Sequence, residues 1–335
     1  MIFIIIYVLE KFKIYFIIRK EQTNMKKAIL FIIFCITLFL AACGADEKSE
    51  NTNGNDKEET VTITHEYGEE EVPKNPEKVV VFDFGILDTL DELGVEVAGV
   101  PQGSVPGYLE KYTGSEYINA GASREPDFEA ISEIDPDLII ISDREAEVYE
   151  ETKEIAPTIY LPVDFENYTE SFNSNMETIA TIFDKEDEME KELKELNEKM
   201  DQVKGEVEKQ EDEALIIMAN EGKISAYGPG SRYGGIIHDV AGYKAADEGI
   251  EEARYGQNIN FEYVVEKNPD IVFIVDRSAA LDTDNTSTKE FMENKLFTKT
   301  NAYKNDQVVY LNMDAWFFGG GLQSMEMMIE DIDIY

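Results

Sequence analysis

A segment of 17 residues occurs twice in this chain, and no other feature restricts its fold as tightly. Phe128–Arg144 aligns without gaps onto Phe261–Arg277, 133 residues further on, with eight identical positions. Each copy reads as a helix, a Pro-Asp turn, a wholly apolar strand and then Asp-Arg at the carboxyl end of that strand. Apolar runs such as Leu138–Ile141 and Ile271–Val275, bounded by turn signals, are the mark of strands covered on both faces by helices. A period this long is the duplication of a domain, because solenoid repeats recur every 20–50 residues. The predicted fold is therefore α/β, with two related β/α lobes.

The rest of the chain fits around the two copies. Val61–Val72 reads as a hairpin about Tyr67-Gly68. Val79–Phe82, Val95–Val100 and Thr158–Leu161 read as strands, Ile86–Leu93 as a helix closed by Gly94, and Asn167–Phe183 as another helix. Ala214–Ala219, Ile224–Tyr227 and Val308–Leu311 are strands of the second lobe. Between the copies, Lys185–Lys209 is charged and helical, with Met189, Leu193, Leu196, Met200, Val203 and Val207 spaced 4, 3, 4, 3, 4. That narrow stripe fits either a helix packed on its own lobes or a coiled-coil seam. Three heptad turns are few for a seam, so packing on the lobes is preferred and a monomer is expected. The resulting plan is an N-terminal lobe over 60–183, an interlobe helix over 184–210 and a C-terminal lobe over 211–335, with a ligand cleft between the lobes.

The N-terminus is read separately. Met25-Lys26-Lys27 is a charged start and Ala28–Leu40 an apolar run, ending in Leu40-Ala41-Ala42-Cys43-Gly44, which resembles a bacterial lipobox. Residues 25–42 are then a lipoprotein signal peptide, with an uncleaved membrane anchor as the other reading. Residues 1–24 are an upstream extension that duplicates the apolar run, and Met25 is the preferred initiator. Cys43 would carry the lipid, and residues 43–59 form an acidic tether. Cys35 leaves with the signal peptide, so neither cysteine remains for a disulfide or a folded zinc site. Residues 1–42 hold six of the 30 Lys/Arg and two of the 70 Asp/Glu, which leaves 24 basic against 68 acidic side chains, a net of −44. Such a surface argues against nucleic acid and against adsorption to an anionic bilayer.

Arginine usage points to the site. Beyond residue 42 the chain has 19 Lys but five Arg: Arg124, Arg144, Arg232, Arg254 and Arg277. Arg144 and Arg277 end the repeated strands, where open α/β sheets bind ligands. Arg232 lies in Gly228-Pro229-Gly230-Ser231-Arg232-Tyr233-Gly234-Gly235. A guanidinium is a rigid, weakly hydrated fork suited to partly buried anionic oxygens. The bland alternative is pairing with the abundant carboxylates, and it weighs most for Arg124 and Arg254. Tyr233, Tyr255, Trp316, Phe317 and Phe318 fit either the mouth of a cleft, stacking on flat ligand rings, or the core. His65 reads as exposed and His238 as a hydrogen-bonded helix residue, so no protein metal site is expected. The chain has no G-x-S-x-G elbow and no P-loop lysine, and its glycine spacing misses the dinucleotide fingerprint. It does not read as an enzyme.

Together, the lipobox, the paired lobes, the spanning helix, GPGSRYGG, YGQNINFEYVVEKNPDIVFIVDR and GGGLQSMEMM resemble the periplasmic-binding-protein family for iron complexes. The resemblance lies with the Gram-positive ferric-catecholate branch, which includes petrobactin binders, and runs from about Val61 to the C-terminus. It implies a fold that moves little on binding, and a basic pocket in which Arg144, Arg232 and Arg277 meet the oxygens of an anionic ferric siderophore. Iron then enters only within the bound complex, and no cofactor is implied. Some relatives carry a histidine where this chain has Tyr255, which puts direct protein–iron contact in doubt. The resemblance also implies docking on an ABC permease with a cytoplasmic ATPase, through Glu129 and Glu262. Haem, a corrinoid or ferric citrate as ligand, and a surface-anchored metal-site enzyme on a similar bilobed fold, are the alternatives.

Overall fold

The computed structural model describes residues 59–250, 256–277 and 288–335. The chain divides into Met1–Lys57 and Glu58–Tyr335. The expected signal peptide, Cys43 and nearly all of the expected tether lie outside the described residues.

The N-terminal lobe opens on the antiparallel hairpin β1 (Thr60–His65) and β2 (Gly68–Pro73). There follow β3 (Val79–Val81), α1 (Phe84–Glu92), β4 (Gly99–Val100), β5 (Ile118–Asn119) and a short pair, β6 (Gly121–Ala122) with β7 (Glu125–Pro126). Next come α2 (Phe128–Ile134), β8 (Leu138–Ile141), α3 (Tyr149–Lys153) and β9 (Thr158–Tyr160). Five strands pair in parallel in the order β5-β4-β3-β8-β9. The strand expected over Val95–Val100 is confined to its last two residues. Val95 still donates its N–H to the Leu90 carbonyl, closing α1, and the ladder starts only beyond that turn.

α4 (Tyr168–Phe183) and α5 (Glu186–Val207) lead to the second lobe. There β10 (Glu213–Asn220), β11 (Lys223–Tyr227), β12 (Lys244–Ala245) and β13 (Gln257–Ile259) precede α6 (Phe261–Lys267) and β14 (Ile271–Asp276). α7 (Thr288–Met292), α8 (Asn301–Lys304), β15 (Val308–Tyr310) and α9 (Leu322–Ile332) complete the chain. The sheet order is β13-β11-β10-β14-β15, with β12 also beside β10. β10, β12, β14 and β15 are parallel, but β11 runs antiparallel to both β10 and β13. A tight hairpin at Glu221-Gly222, both at positive φ (48° and 72°), reverses the chain, as two-residue hairpin loops require.

The repeat has a structural cause. α2 and α6 each end on a residue in the left-handed region, Asp135 (φ 52°) and Asn268 (φ 46°), which short polar side chains tolerate. The aspartate after each proline then pins the neighbouring strand. Asp137 Oδ2 accepts from the Lys78 amide at 2.8 Å, just before β3, and Asp270 Oδ2 accepts from the Glu213 amide at 3.3 Å, where β10 begins. Each copy therefore registers its apolar strand beside the first strand of its lobe's main sheet.

The stripe on α5 packs on its own molecule. Met189, Leu196, Met200, Val203 and Val207 are buried and Leu193 partly so, all in one core with residues of both sheets such as Val81, Ile140, Ile216 and Phe273. α9, the last helix, turns back across the lobes onto α1 and α5. Asp88 of α1 accepts from the Ser324 hydroxyl (2.6 Å) and amide (3.2 Å) at the start of α9, and from the Tyr108 hydroxyl (3.1 Å). The junction is tight because Gly321 has no side chain: a Cβ there would stand 1.8 Å from the Gly85 carbonyl oxygen and 2.1 Å from Asp88 Oδ1. A shared core and a hydrogen-bonded helix junction tie the lobes together and favour small relative motion.

Candidate ligand-binding cleft

In chain order, the first-lobe sheet runs third-second-first-fourth-fifth, so connections leave β3 and β8 towards opposite sides. A crevice opens at the carboxyl ends of those two strands, the place where such sheets take ligands. Asp83 follows β3. It caps α1 by accepting from the Ile86 amide at 2.9 Å and accepts from the Ser142 hydroxyl at 2.6 Å. Ser142-Asp143-Arg144 follow β8, so the repeated Asp-Arg stands on the lip of the crevice. Arg277 holds the matching place after β14.

Arg232 comes from the loop after β11. The loop is pinned by the Asp239 carboxylate, which accepts from the Gly230 amide at 2.7 Å, and by the Ser231 hydroxyl, which donates to the Gly228 carbonyl at 2.5 Å. Arg144 from one lobe and Arg232 from the other donate to one backbone oxygen, the Phe317 carbonyl, at 2.9 and 2.5 Å. Aromatic faces flank both. Arg144 lies 5.2 Å from the Phe317 ring centroid and 5.5 Å from that of Phe318, and Arg232 lies 5.3 Å from Phe317 and 5.5 Å from Tyr233. Cation–π contact of this kind steadies guanidinium groups that repel each other. Burial, and then the charge of Arg232, push the Arg144 guanidinium below its usual pKa.

These side chains open on a single cavity of about 830 Å³, lined from both lobes and including Arg124, Arg144, Arg232 and Arg277. Among the described residues, every ion pair is made by a lysine, and none engages an arginine. Three acidic groups on the lining have donors of their own, Asp83 among them. Asp143 accepts from the Tyr160 hydroxyl at 2.7 Å and Asp164 from Asn167 Nδ2 at 2.9 Å. Glu145, 1% exposed beside Arg144, is pushed up to about 7 by burial. It accepts from the Ser123 hydroxyl at 2.7 Å. It therefore holds its proton to higher pH than an ordinary glutamate, which lowers the negative charge close to the arginines.

The other residues singled out from sequence fall as follows. Tyr233 and Trp316 both line the cavity yet are almost wholly buried, and the Trp316 indole N–H donates to Asp331 Oδ2 at 2.9 Å. The Tyr233 hydroxyl is buried without a hydrogen-bond partner among the described residues, as is that of Tyr168, another lining residue. Tyr255 and Arg254 lie outside the described residues. Glu129 and Glu262 are exposed in the first turns of α2 and α6, the helices of the two repeat copies. His238 is buried, and its Nδ1–H donates to the Tyr243 carbonyl at 2.8 Å. His65, expected to be exposed, is half-buried, because the hairpin lays it edge-on to Tyr149 with ring centroids 5.6 Å apart. Sequence reasoning discounted Arg124 and overlooked Asp83, Phe165 and Tyr168. Asp83 alone carried a usable signal, its place just after an apolar strand.

A crevice at the strand ends of two β/α lobes, spanned by one helix and lined with guanidinium groups and aromatic faces, defines a bilobed ligand-binding protein. A sequence model of the periplasmic binding protein family matches residues 79–315, and the chain belongs to that family. It is 47% identical over 315 residues to the petrobactin-binding protein YclQ of Bacillus subtilis, covering 92% of this chain and 98% of that one. It is 32% identical to the ferric-anguibactin-binding protein FatB of Vibrio anguillarum, over 82% of this chain and 87% of the relative. The crystal structure of YclQ superposes with a TM-score of 0.80 at 48% identity, over 82% of this chain and 98% of that one. That of PiuA, an iron uptake ABC transporter substrate-binding protein of Streptococcus pneumoniae, gives 0.78 at 38% identity, over 81% and 97%.

Proposed function

We propose that this protein is the extracytoplasmic substrate-binding component of an ABC importer, and that it captures an anionic ferric siderophore of the catecholate class. One observation carries the reading. Guanidinium groups from both lobes turn towards one cavity and, among the described residues, have no carboxylate partner. Two of them already share the Phe317 carbonyl. That oxygen stands in for the anion: it holds the forks in place before the ligand arrives, so little side-chain freedom is lost on binding. A catecholate complex presents flat rings and a compact cluster of negative oxygens. The rings fit the faces of Phe165, Phe317 and Phe318, and the oxygens fit the arginines. The similarity to YclQ and FatB, both named for ferric-siderophore or siderophore binding, supports the same class.

On this reading Cys43 carries the lipid that holds the domain at the outer face of the cell membrane, and the protein acts as a monomer without a resident cofactor. Glu129 and Glu262, exposed on the twin helices, meet basic residues of the permease, whose ATPase works from the cytoplasm. The test is a titration of the mature domain with ferric catecholate, ferric hydroxamate, ferric citrate and haem, read by Trp316 fluorescence and calorimetry. Tight binding of ferric catecholate alone is the expected result. Absence of catecholate binding by both methods removes the ligand class.

A further inference from the structure

The second lobe builds one wall of the cavity from a flat antiparallel face, and nothing in the arginine cluster accounts for it. In the β10–β11 ladder Asn220 stands opposite Lys223 and Met218 opposite Ser225, and in the β11–β13 ladder Ser225 stands opposite Asn258. Side chains along a strand alternate between faces, so Asn220, Lys223, Ser225 and Asn258 share one face, and all four line the cavity. The intervening residues Ala219, Ile224 and Ala226 point the other way into a buried apolar cluster. The sheet is thus apolar behind, and in front it carries these four polar side chains beside Met218 and Tyr227, which line the cavity from the same face. Among the described residues, Lys223 makes no ion pair.

We propose that this sheet face is a second subsite, which takes carboxylate or hydroxyl oxygens on the backbone of the chelate, apart from its iron-binding rings. The inference rests on the siderophore reading and deepens it. The two walls differ in chemistry. The arginines are rigid forks held on a carbonyl and flanked by aromatic faces, which suits a compact metal centre. Lys223 is a flexible point charge beside two amides and a hydroxyl, which suits an oxygen-bearing chain whose position varies. The short turn at Glu221-Gly222 fixes the hairpin, and so places Lys223 one residue from the tip. A chelate seated on the arginines and long enough to cross the cleft lays its backbone on this face.

The experiment uses two synthetic ferric catecholates with the same rings, one with a free carboxylate on the linking backbone and one with that carboxylate converted to a primary amide. Both are titrated against the wild type, Lys223→Gln and Arg144→Ala. In the wild type, amidation is expected to weaken binding about tenfold, the size of one charge-assisted hydrogen bond. In Lys223→Gln the same change is expected to cost no more than about twofold, while Arg144→Ala weakens both chelates alike. An amidation penalty equal in the wild type and Lys223→Gln, or none in the wild type, overturns the subsite and leaves the arginine site standing. An Arg144→Ala variant that binds both chelates as the wild type does overturns the arginine site instead. Failure of the wild type to bind either chelate overturns the siderophore reading, and the subsite with it.

Discussion

Replacing Arg144 by alanine tests the cleft most directly, because the expected loss can be worked from its surroundings. The guanidinium is partly buried, among the described residues has no ion-pair partner, and is held by the Phe317 carbonyl and two phenyl faces. A unit charge about 6 Å from an anionic oxygen, at an effective dielectric near 20, is worth roughly 3 kcal/mol. Two terms reduce this. Removing Arg144 relieves its repulsion with Arg232, and Arg232 keeps the Phe317 carbonyl as its anchor. The expected result is a Kd for ferric catecholate raised about 50- to 100-fold. Arg144→Lys keeps the charge and loses the fork, so it should cost about tenfold. Calorimetry gives both numbers, and near-UV circular dichroism checks that the fold is intact. The penalty should change little between low and moderate salt, since the charge is shielded within the cavity. A weakening of less than threefold in a folded Arg144→Ala protein would refute the reasoning.

Three further outcomes are expected. Glu145 holds its proton in the folded state up to about pH 7, where an unfolded glutamate has lost it, so its contribution to stability is complete at low pH and is lost as pH rises through about 7. Glu145→Gln should flatten that fall in melting temperature between about pH 5 and 8, and equal slopes in both proteins would count against it. Gly321→Ala forces a Cβ into the Gly85 carbonyl and Asp88, so it should cost at least about 2 kcal/mol and lower the melting temperature by several degrees. A melting temperature unchanged from the wild type would show that the junction yields freely. Glu129→Ala combined with Glu262→Ala should leave siderophore affinity unchanged and reduce cellular uptake of the ferric complex; unimpaired uptake would place permease docking elsewhere.

How far the chain could be read in advance varied with the range of the interactions involved. The repeat, the apolar strands and the stripe on α5 were legible, because each is a local pattern enforced by burial on one or both faces. The twin aspartates that pin β3 and β10 even leave their trace in the repeated Pro-Asp. Arg144 and Arg277 were legible as strand-end residues, and Arg232 as an arginine in a glycine-rich turn. The hairpin at Glu221-Gly222 was hidden, since a glutamate at positive φ advertises nothing and two short apolar runs look alike in either direction.

The amino-acid order alone set the duplication, the two-lobed α/β plan and the choice of arginine over lysine at the strand ends, all properties of neighbours in sequence. Tertiary structure decided the rest. Only it brings Phe317 between Arg144 and Arg232, residues 173 and 85 positions away, and so turns two repelling cations into one prepared site. Only it folds α9 back onto α1 and stands the polar face of β10, β11 and β13 against the cleft. Those arrangements depend on which surfaces pack together when the chain closes, and no pattern within one segment records that.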